Sequence, residues 1–259
     1  MSTHEERGQG AALVFLHGIG GDAACWRPQL EFFGDRYRAI AWSMPGYGGA
    51  APLGEMTFAG LAEALARLLD RLGIERAHLV GHSMGGMVAQ EAAASFPDRL
   101  LSLTLSATSA AFGRPDGDWQ QSFLASRLGP LERGRPMAEL AAEIVGGLVG
   151  EAPDPAGVAQ AVRSMAAVPP ATYRAALHCL LTFDRREALA RIAAPTLLIA
   201  GERDTTAPPA VMERMAARIR CARLVVLPRA GHLANLEQPA AFNAALGAFL
   251  AAMAREAGA

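Results

Sequence analysis

Five residues, Gly81–His82–Ser83–Met84–Gly85, constrain this chain more than any other stretch. They follow the apolar run Ala77–His78–Leu79–Val80 and precede Met87–Val88–Ala89–Gln90–Glu91–Ala92, a run suited to a helix. A strand, a serine between small neighbours and a helix make a nucleophile elbow. The chain must reverse between strand end and helix start, and glycines at 81 and 85 let the backbone adopt a strained, closely packed turn. The serine hydroxyl is carried to the strand tip, at the positive end of the following helix.

The rest of the chain alternates in the same way. Ala11–Ala12–Leu13–Val14–Phe15–Leu16 is a continuous apolar run, the mark of a strand buried on both faces. Arg38–Ala39–Ile40–Ala41–Trp42 reads as a second strand, stopped by Pro45–Gly46. Thr57 is a candidate N-cap for a helix carrying Phe58, Leu61, Leu65, Leu68, Leu69 and Leu72 at helical spacing, ended by Gly73. Further strands are expected at 77–80, 100–107, 195–200 and 223–227, with helices at 24–33, 208–219 and 239–253. Residues 110–187 show no strand pattern and carry four helical stretches. The expected organisation is a core of residues 1–109 and 188–259 interrupted by a helical cap at 110–187. Alternating strands and helices imply an α/β, mostly parallel, doubly wound sheet, in which ligands bind at the carboxyl ends of the strands.

Composition narrows the function classes. A net charge of −1 leaves no electrostatic footprint for nucleic acid or an anionic membrane. All 24 basic residues are arginine, which excludes any mechanism needing a lysine amine. Cys25, Cys179 and Cys221 form no paired or metal-binding spacing, as expected of reduced thiols in a cytoplasmic protein. The polar start MSTHEERGQG does not read as a secretory signal, and no apolar run of membrane-spanning length is present. His4, His78 and His178 share no ligand spacing, so neither a metal nor a cofactor is expected.

A serine hydroxyl becomes a nucleophile only when a base takes its proton, and the base must be held by a carboxylate. His232, just past the last strand, is the candidate base; Asp204, just past the preceding strand, is the candidate carboxylate, with Glu202 as its competitor. The order Ser83, Asp204, His232 is the one that accompanies this elbow. The oxyanion formed on attack needs two backbone N–H donors. Met84 follows the serine, and Ile19 lies in the loop His17–Gly18–Ile19–Gly20–Gly21 after the first long strand. That loop lacks the glycine spacings of nucleotide cradles. His82 reads as a pocket wall and His17 as a buried, hydrogen-bonded histidine. Trp26, Trp119, Phe123, Met137 and Met165 are candidate pocket residues whose competing reading is core; Arg127 and Leu233 are further pocket candidates, with a solvated helix face the competing reading for Arg127.

These motifs resemble the α/β-hydrolase superfamily. The residues that carry the likeness are Leu16–His17–Gly18, Met44–Pro45–Gly46–Tyr47–Gly48, Gly81–His82–Ser83–Met84–Gly85–Gly86, Gly201–Glu202–Arg203–Asp204 and Ala230–Gly231–His232. The resemblance implies an eight-stranded sheet, a metal-free Ser-Asp-His triad and hydrolysis of ester-like bonds. Only about ten residues precede the strand ending at His17, so the family's first strand should be missing and its second reduced to a stub near Thr3–Arg7, leaving six or seven strands. The runs His232–Leu233–Ala234–Asn235–Leu236–Glu237–Gln238–Pro239 and Thr182 to Ala200 look like the 3-oxoadipate enol-lactonase branch and its esterase relatives. An enol-lactone bearing a carboxylate would want an arginine in the site, and Arg127, Arg133, Arg163 and Arg174 are candidates.

The expected activity is hydrolysis of a small ester or lactone by a monomer or homodimer. A carbon–carbon bond hydrolase of the meta-cleavage type is the alternative within the enzyme class, although Ile19–Gly20–Gly21–Asp22 differs from the usual oxyanion loop of those enzymes. A ligand-binding signalling receptor on the same fold is the alternative from another class.

Overall fold

Strand residues alternate between two apolar cores. Leu13 and Phe15 point to one side of the sheet and Val14 and Leu16 to the other; Ala39 and Ala41 oppose Ile40 and Trp42, and Leu197 and Ile199 oppose Leu198 and Ala200. Both faces are covered, which is why these strands read as unbroken apolar runs. The computed structural model describes residues 3–113 and 116–257, with side chains as far as residue 255. Met1, Ser2, Arg114, Pro115, Gly258 and Ala259 lie outside the described residues, including two positions of the 110–187 segment and two of the polar N-terminus.

The strands are β1 (His4–Arg7), β2 (Ala12–Leu16), β3 (Arg38–Trp42), β4 (Ala77–His82), β5 (Leu100–Ser106), β6 (Thr196–Gly201) and β7 (Arg223–Leu227). They form one sheet in the order β1-β3-β2-β4-β5-β6-β7. Only β1 runs antiparallel, pairing His4 with Trp42 and Arg7 with Ala39. It is the four-residue stub expected at the N-terminus. The other pairings are parallel, so the carboxyl ends of β2, β4, β5, β6 and β7 open on the same edge.

Core helices α1 (Arg27–Phe33), α2 (Phe58–Arg71) and α3 (Met84–Ser95) follow β2, β3 and β4. The Thr57 hydroxyl caps α2 by accepting the Gly60 amide at 3.0 Å, and Gly73 leaves the helix at φ 65°. Between β5 and β6 the chain forms four consecutive helices, α4 (Asp118–Glu132), α5 (Met137–Gly146), α6 (Pro155–Ala166) and α7 (Pro170–Leu180). α8 (Pro209–Ala216) follows β6; α9 (Ala234–Glu237) and α10 (Pro239–Ala257) close the chain. Among the described residues no helix is long and apolar enough to cross a membrane, and no group of three or more His, Cys, Asp or Glu could hold a metal. Cys25, Cys179 and Cys221 are free thiols.

Candidate active site

The turn after β4 is strained as its sequence requires. Ser83 sits at φ 51°, ψ −120°, a conformation L-residues rarely adopt. Such strain costs about 1–3 kcal/mol. Neighbouring hydrogen bonds, each contributing about 1 kcal/mol, offset it. The Ser83 amide donates to the Ser106 carbonyl at 2.9 Å, and the Ser83 carbonyl accepts the Gly86 amide at 2.9 Å and the Thr108 hydroxyl at 2.8 Å. Close approach explains the glycines. A Cβ at position 85 would lie 2.3 Å from the Leu16 carbonyl oxygen, and one at position 81 would lie 2.4 Å from the Gly85 oxygen.

Three side chains far apart in the chain meet above this turn. His232 Nε2 lies 3.0 Å from Ser83 Oγ, and His232 Nδ1 lies 2.8 Å from Asp204 Oδ2. The residues occupy the ends of β4, β6 and β7, so the parallel order of the sheet brings them together. The second Asp204 oxygen accepts the Thr206 amide at 2.7 Å and the Ala207 amide at 3.0 Å. Burial alone would push the Asp204 pKa up; the hydrogen bond from His232 and the two backbone amides outweigh it and hold the acid below its ordinary value. The carboxylate is therefore charged and acceptor-only at neutral pH, which requires the proton on His232 Nδ1 and leaves Nε2 free to accept from the serine. Glu202, the competing acid, instead accepts the Arg229 amide at 2.9 Å on the exposed side of the loop.

The other candidates divide between cavity and core. A cavity of about 100 Å³ lies over Ser83 and His232. Ile19, His82, Phe123, Arg127 and Leu233 line it, as does Met165. Trp26 does not reach it. Trp26 is fully buried on the other side of the sheet, with its ring 5.0 Å from Phe15 and 5.9 Å from Phe242, and it borders only a smaller hollow behind the Ile19 loop. Trp119 also lies outside the cavity, 60% exposed and stacked on Phe123. Both aromatic rings are on one stripe of α4, with Trp119 one turn (about 5.4 Å) closer to the start of the helix. Met137 is core. Of the four candidate arginines only Arg127 lines the cavity, its guanidinium 5.7 Å from the Phe123 ring centroid.

Two histidines beside the site are held neutral. His17 Nδ1–H donates to the Gly18 carbonyl at 2.7 Å while Nε2 accepts the Met44 amide at 3.0 Å; burial pushes its pKa down to about 4. His82 Nε2–H donates to the His232 carbonyl at 2.8 Å, and burial pushes it down to about 3, with His232 adding to the shift. Both pKa values fall on folding, so between pH 6.5 and these values the unfolded chain binds more protons than the folded one. Their contribution is complete above pH 6.5 and is lost as the pH falls towards 4 and then 3. The melting temperature should accordingly decline on acidification below pH 6.5, steeply between 6 and 4, with a smaller decline in His17→Gln or His82→Gln variants that fold. A melting temperature flat from pH 7 to 4 would contradict this account.

The amides of Ile19 and Met84 donate to no protein acceptor among the described residues. Ile19 lines the cavity, and Met84 opens α3 directly after the serine. Two site residues carried no recognisable signal in the sequence. Tyr173, lining the cavity from α7, looks like an ordinary apolar-face residue in a helical run. Glu237 lies inside the motif that follows His232, and nothing in its local pattern shows that its carboxylate is buried.

A family model described as the alpha/beta hydrolase fold matches residues 11–239. The chain belongs to this family. Similar proteins include a provisionally assigned carbamate hydrolase of Azorhizobium caulinodans, 31% identical over 252 residues that cover 93% of this chain and 91% of that one. A 3-oxoadipate enol-lactonase of Acinetobacter baylyi is 31% identical over 89% of this chain and 85% of its own. Among solved structures, a thermophilic esterase from Thermogutta terrifontis superposes with a TM-score of 0.88 at 30% identity, covering 96% of this chain and 93% of that one. This chain shares the hydrolase fold with these relatives and builds it on a mostly parallel seven-stranded sheet.

Proposed function

We propose that this α/β hydrolase is a serine hydrolase that cleaves a small carboxylic ester or lactone through an acyl-enzyme. The single observation that carries the reading is the continuous hydrogen-bonded line Ser83 Oγ–His232–Asp204, at 3.0 and 2.8 Å, on the floor of the cavity. Helices α4–α7 act as the cap, since Phe123, Arg127, Met165 and Tyr173 reach the cavity from them. Ser83 Oγ attacks the substrate carbonyl while His232 Nε2 takes its proton, and Asp204 stabilises the imidazolium that results. The oxyanion is held by the Ile19 and Met84 amides; one such donor typically lowers the barrier by about 3 kcal/mol. His232 returns the proton to the departing alkoxide, which in a lactone remains tethered to the acyl group. It then deprotonates a water that attacks the ester of Ser83 and frees the acid. The substrate in this reading is a small molecule, and no step calls on a cofactor.

Arg127 narrows the substrate. Among the described residues it is the one guanidinium lining the cavity, and no carboxylate pairs with it. A cation on an apolar wall favours a substrate bearing a carboxylate. The enol-lactonase relative is named for an oxo-acid, in line with this preference. The deciding experiment is turnover of a panel of neutral esters, carboxylate-bearing esters, enol-lactones and a carbamate. Carboxylate-bearing esters or lactones should be turned over best. Arg127→Ala should raise KM for those substrates about tenfold, the loss of roughly one charge-assisted contact, while neutral esters change less than twofold. Absence of turnover across the panel would remove the enzymatic reading, and an equal change for both classes would remove the role of Arg127.

A further inference from the structure

The loop that carries His232 is fastened to the helical insertion through one buried carboxylate. Glu237 is only 3% exposed. Its Oε1 accepts the Leu233 amide at 2.8 Å, and its Oε2 accepts the Gly231 amide at 2.9 Å and the Gly150 amide at 2.7 Å. Two of these donors flank His232 in sequence; the third belongs to the segment between α5 and α6. Backbone bonds continue the seam. The His232 amide donates to the Leu148 carbonyl at 2.7 Å, the Glu151 amide to the Arg229 carbonyl at 2.8 Å, and the Asp154 amide to the Glu237 carbonyl at 2.9 Å. The two segments touch so closely that a Cβ at position 150 would lie 2.1 Å from the Arg229 carbonyl oxygen.

A buried carboxylate is costly unless its oxygens are fully engaged, and among the described residues no guanidinium neutralises this one. Its charge is met by backbone donors alone. A group that only filled space would be apolar; one that must fix three N–H vectors at once has to be an acceptor with two oxygens. We propose that Glu237 is a positioning residue for His232, holding the imidazole in register with Ser83 and Asp204 by clamping the amides on either side of it and tying them to the insertion. The inference rests on the serine-hydrolase reading and adds a second carboxylate to it, one that never touches substrate.

The test uses the full chain and a fluorophosphonate, with which Ser83 Oγ forms a bond to phosphorus, fluoride leaves and the serine proton passes to His232. In Glu237→Gln one donor-bearing nitrogen replaces an acceptor oxygen, so the three amides cannot all be met. The labelling rate should fall ten- to a hundredfold, with KM for a small ester within threefold of the parent and a cooperative melt above the assay temperature. In a His232→Ala background the same change should slow residual labelling less than twofold, because the base it positions is gone. Gly150→Ala, which keeps Glu237 but forces the segments apart, should reproduce the loss of labelling rate and serves if Glu237→Gln does not fold. Parent-like labelling of either folded variant, or an undiminished loss in the His232→Ala background, overturns the proposal. A parent protein that the probe does not label at Ser83 would instead overturn the serine-hydrolase reading itself.

Discussion

Ser83→Ala should fold as the parent does and lose turnover of p-nitrophenyl esters by a factor on the order of 10⁶ in kcat, the scale seen when the nucleophile of a serine hydrolase is removed. The reason is that among the described residues the only hydroxyl hydrogen-bonded to His232 Nε2 is Ser83 Oγ, at 3.0 Å. The fold should survive because the elbow depends on backbone, not on that hydroxyl. The contacts that hold position 83 at φ 51° are made by its amide and carbonyl, and alanine carries the same Cβ as serine. The hydroxyl contributes one partly buried hydrogen bond, about 1 kcal/mol. Steady-state kinetics beside thermal melts give the answer. A variant with full activity would end the assignment of Ser83, and a variant that does not fold would show the turn to rely on the hydroxyl.

Asp204→Asn should reduce kcat by about 10⁴ through the tautomer of His232. Asp204 presents only acceptors, one oxygen to the imidazole and the other to the amides of Thr206 and Ala207. An asparagine cannot do this. If its oxygen keeps the two amides, its NH₂ faces His232 Nδ1, which must then be the bare nitrogen; Nε2 carries the proton and cannot take another from Ser83. If the amide flips, the NH₂ confronts two N–H donors in a buried site. Because the depressed Asp204 pKa makes the acid's contribution to stability fully present above its unfolded value and lost as pH falls through the folded one, the parent and variant melting temperatures should converge in strong acid. Retention of more than a tenth of parental kcat would show that another group orients the histidine.

Much of this architecture could be read without coordinates. The apolar runs ending at Leu16, Trp42, Val80 and Ala200 have the composition of strands covered on both faces, and each is a parallel strand of the sheet, while the run ending at Leu227 is a parallel edge strand with Val226 exposed. Glycine at 81 and 85 already implied a tight reversal at Ser83, and the close approach to Leu16 supplies the reason. The pocket was less legible. Trp119, Phe123 and Arg127 recur every fourth residue on α4, so their spacing alone could not say where along the stripe the cavity begins. Trp26 has the same apolar character as a pocket aromatic, yet its helix turns that side chain towards Phe15 and Phe242.

Local sequence determined the strand–turn–helix at Ser83, the alternation that makes a parallel sheet, and the order in which serine, acid and imidazole appear. Those properties depend on neighbours a few residues apart, where periodicity and glycine placement act directly. Tertiary structure alone decided that His232 reaches Ser83 across 149 residues, that Arg127 and not Trp119 faces the cavity, and that Glu237 ties the His232 loop to the segment at Gly150. Loop residues carry no periodic signal, and the partner of a buried polar group is set by which chain ends the sheet gathers at one edge.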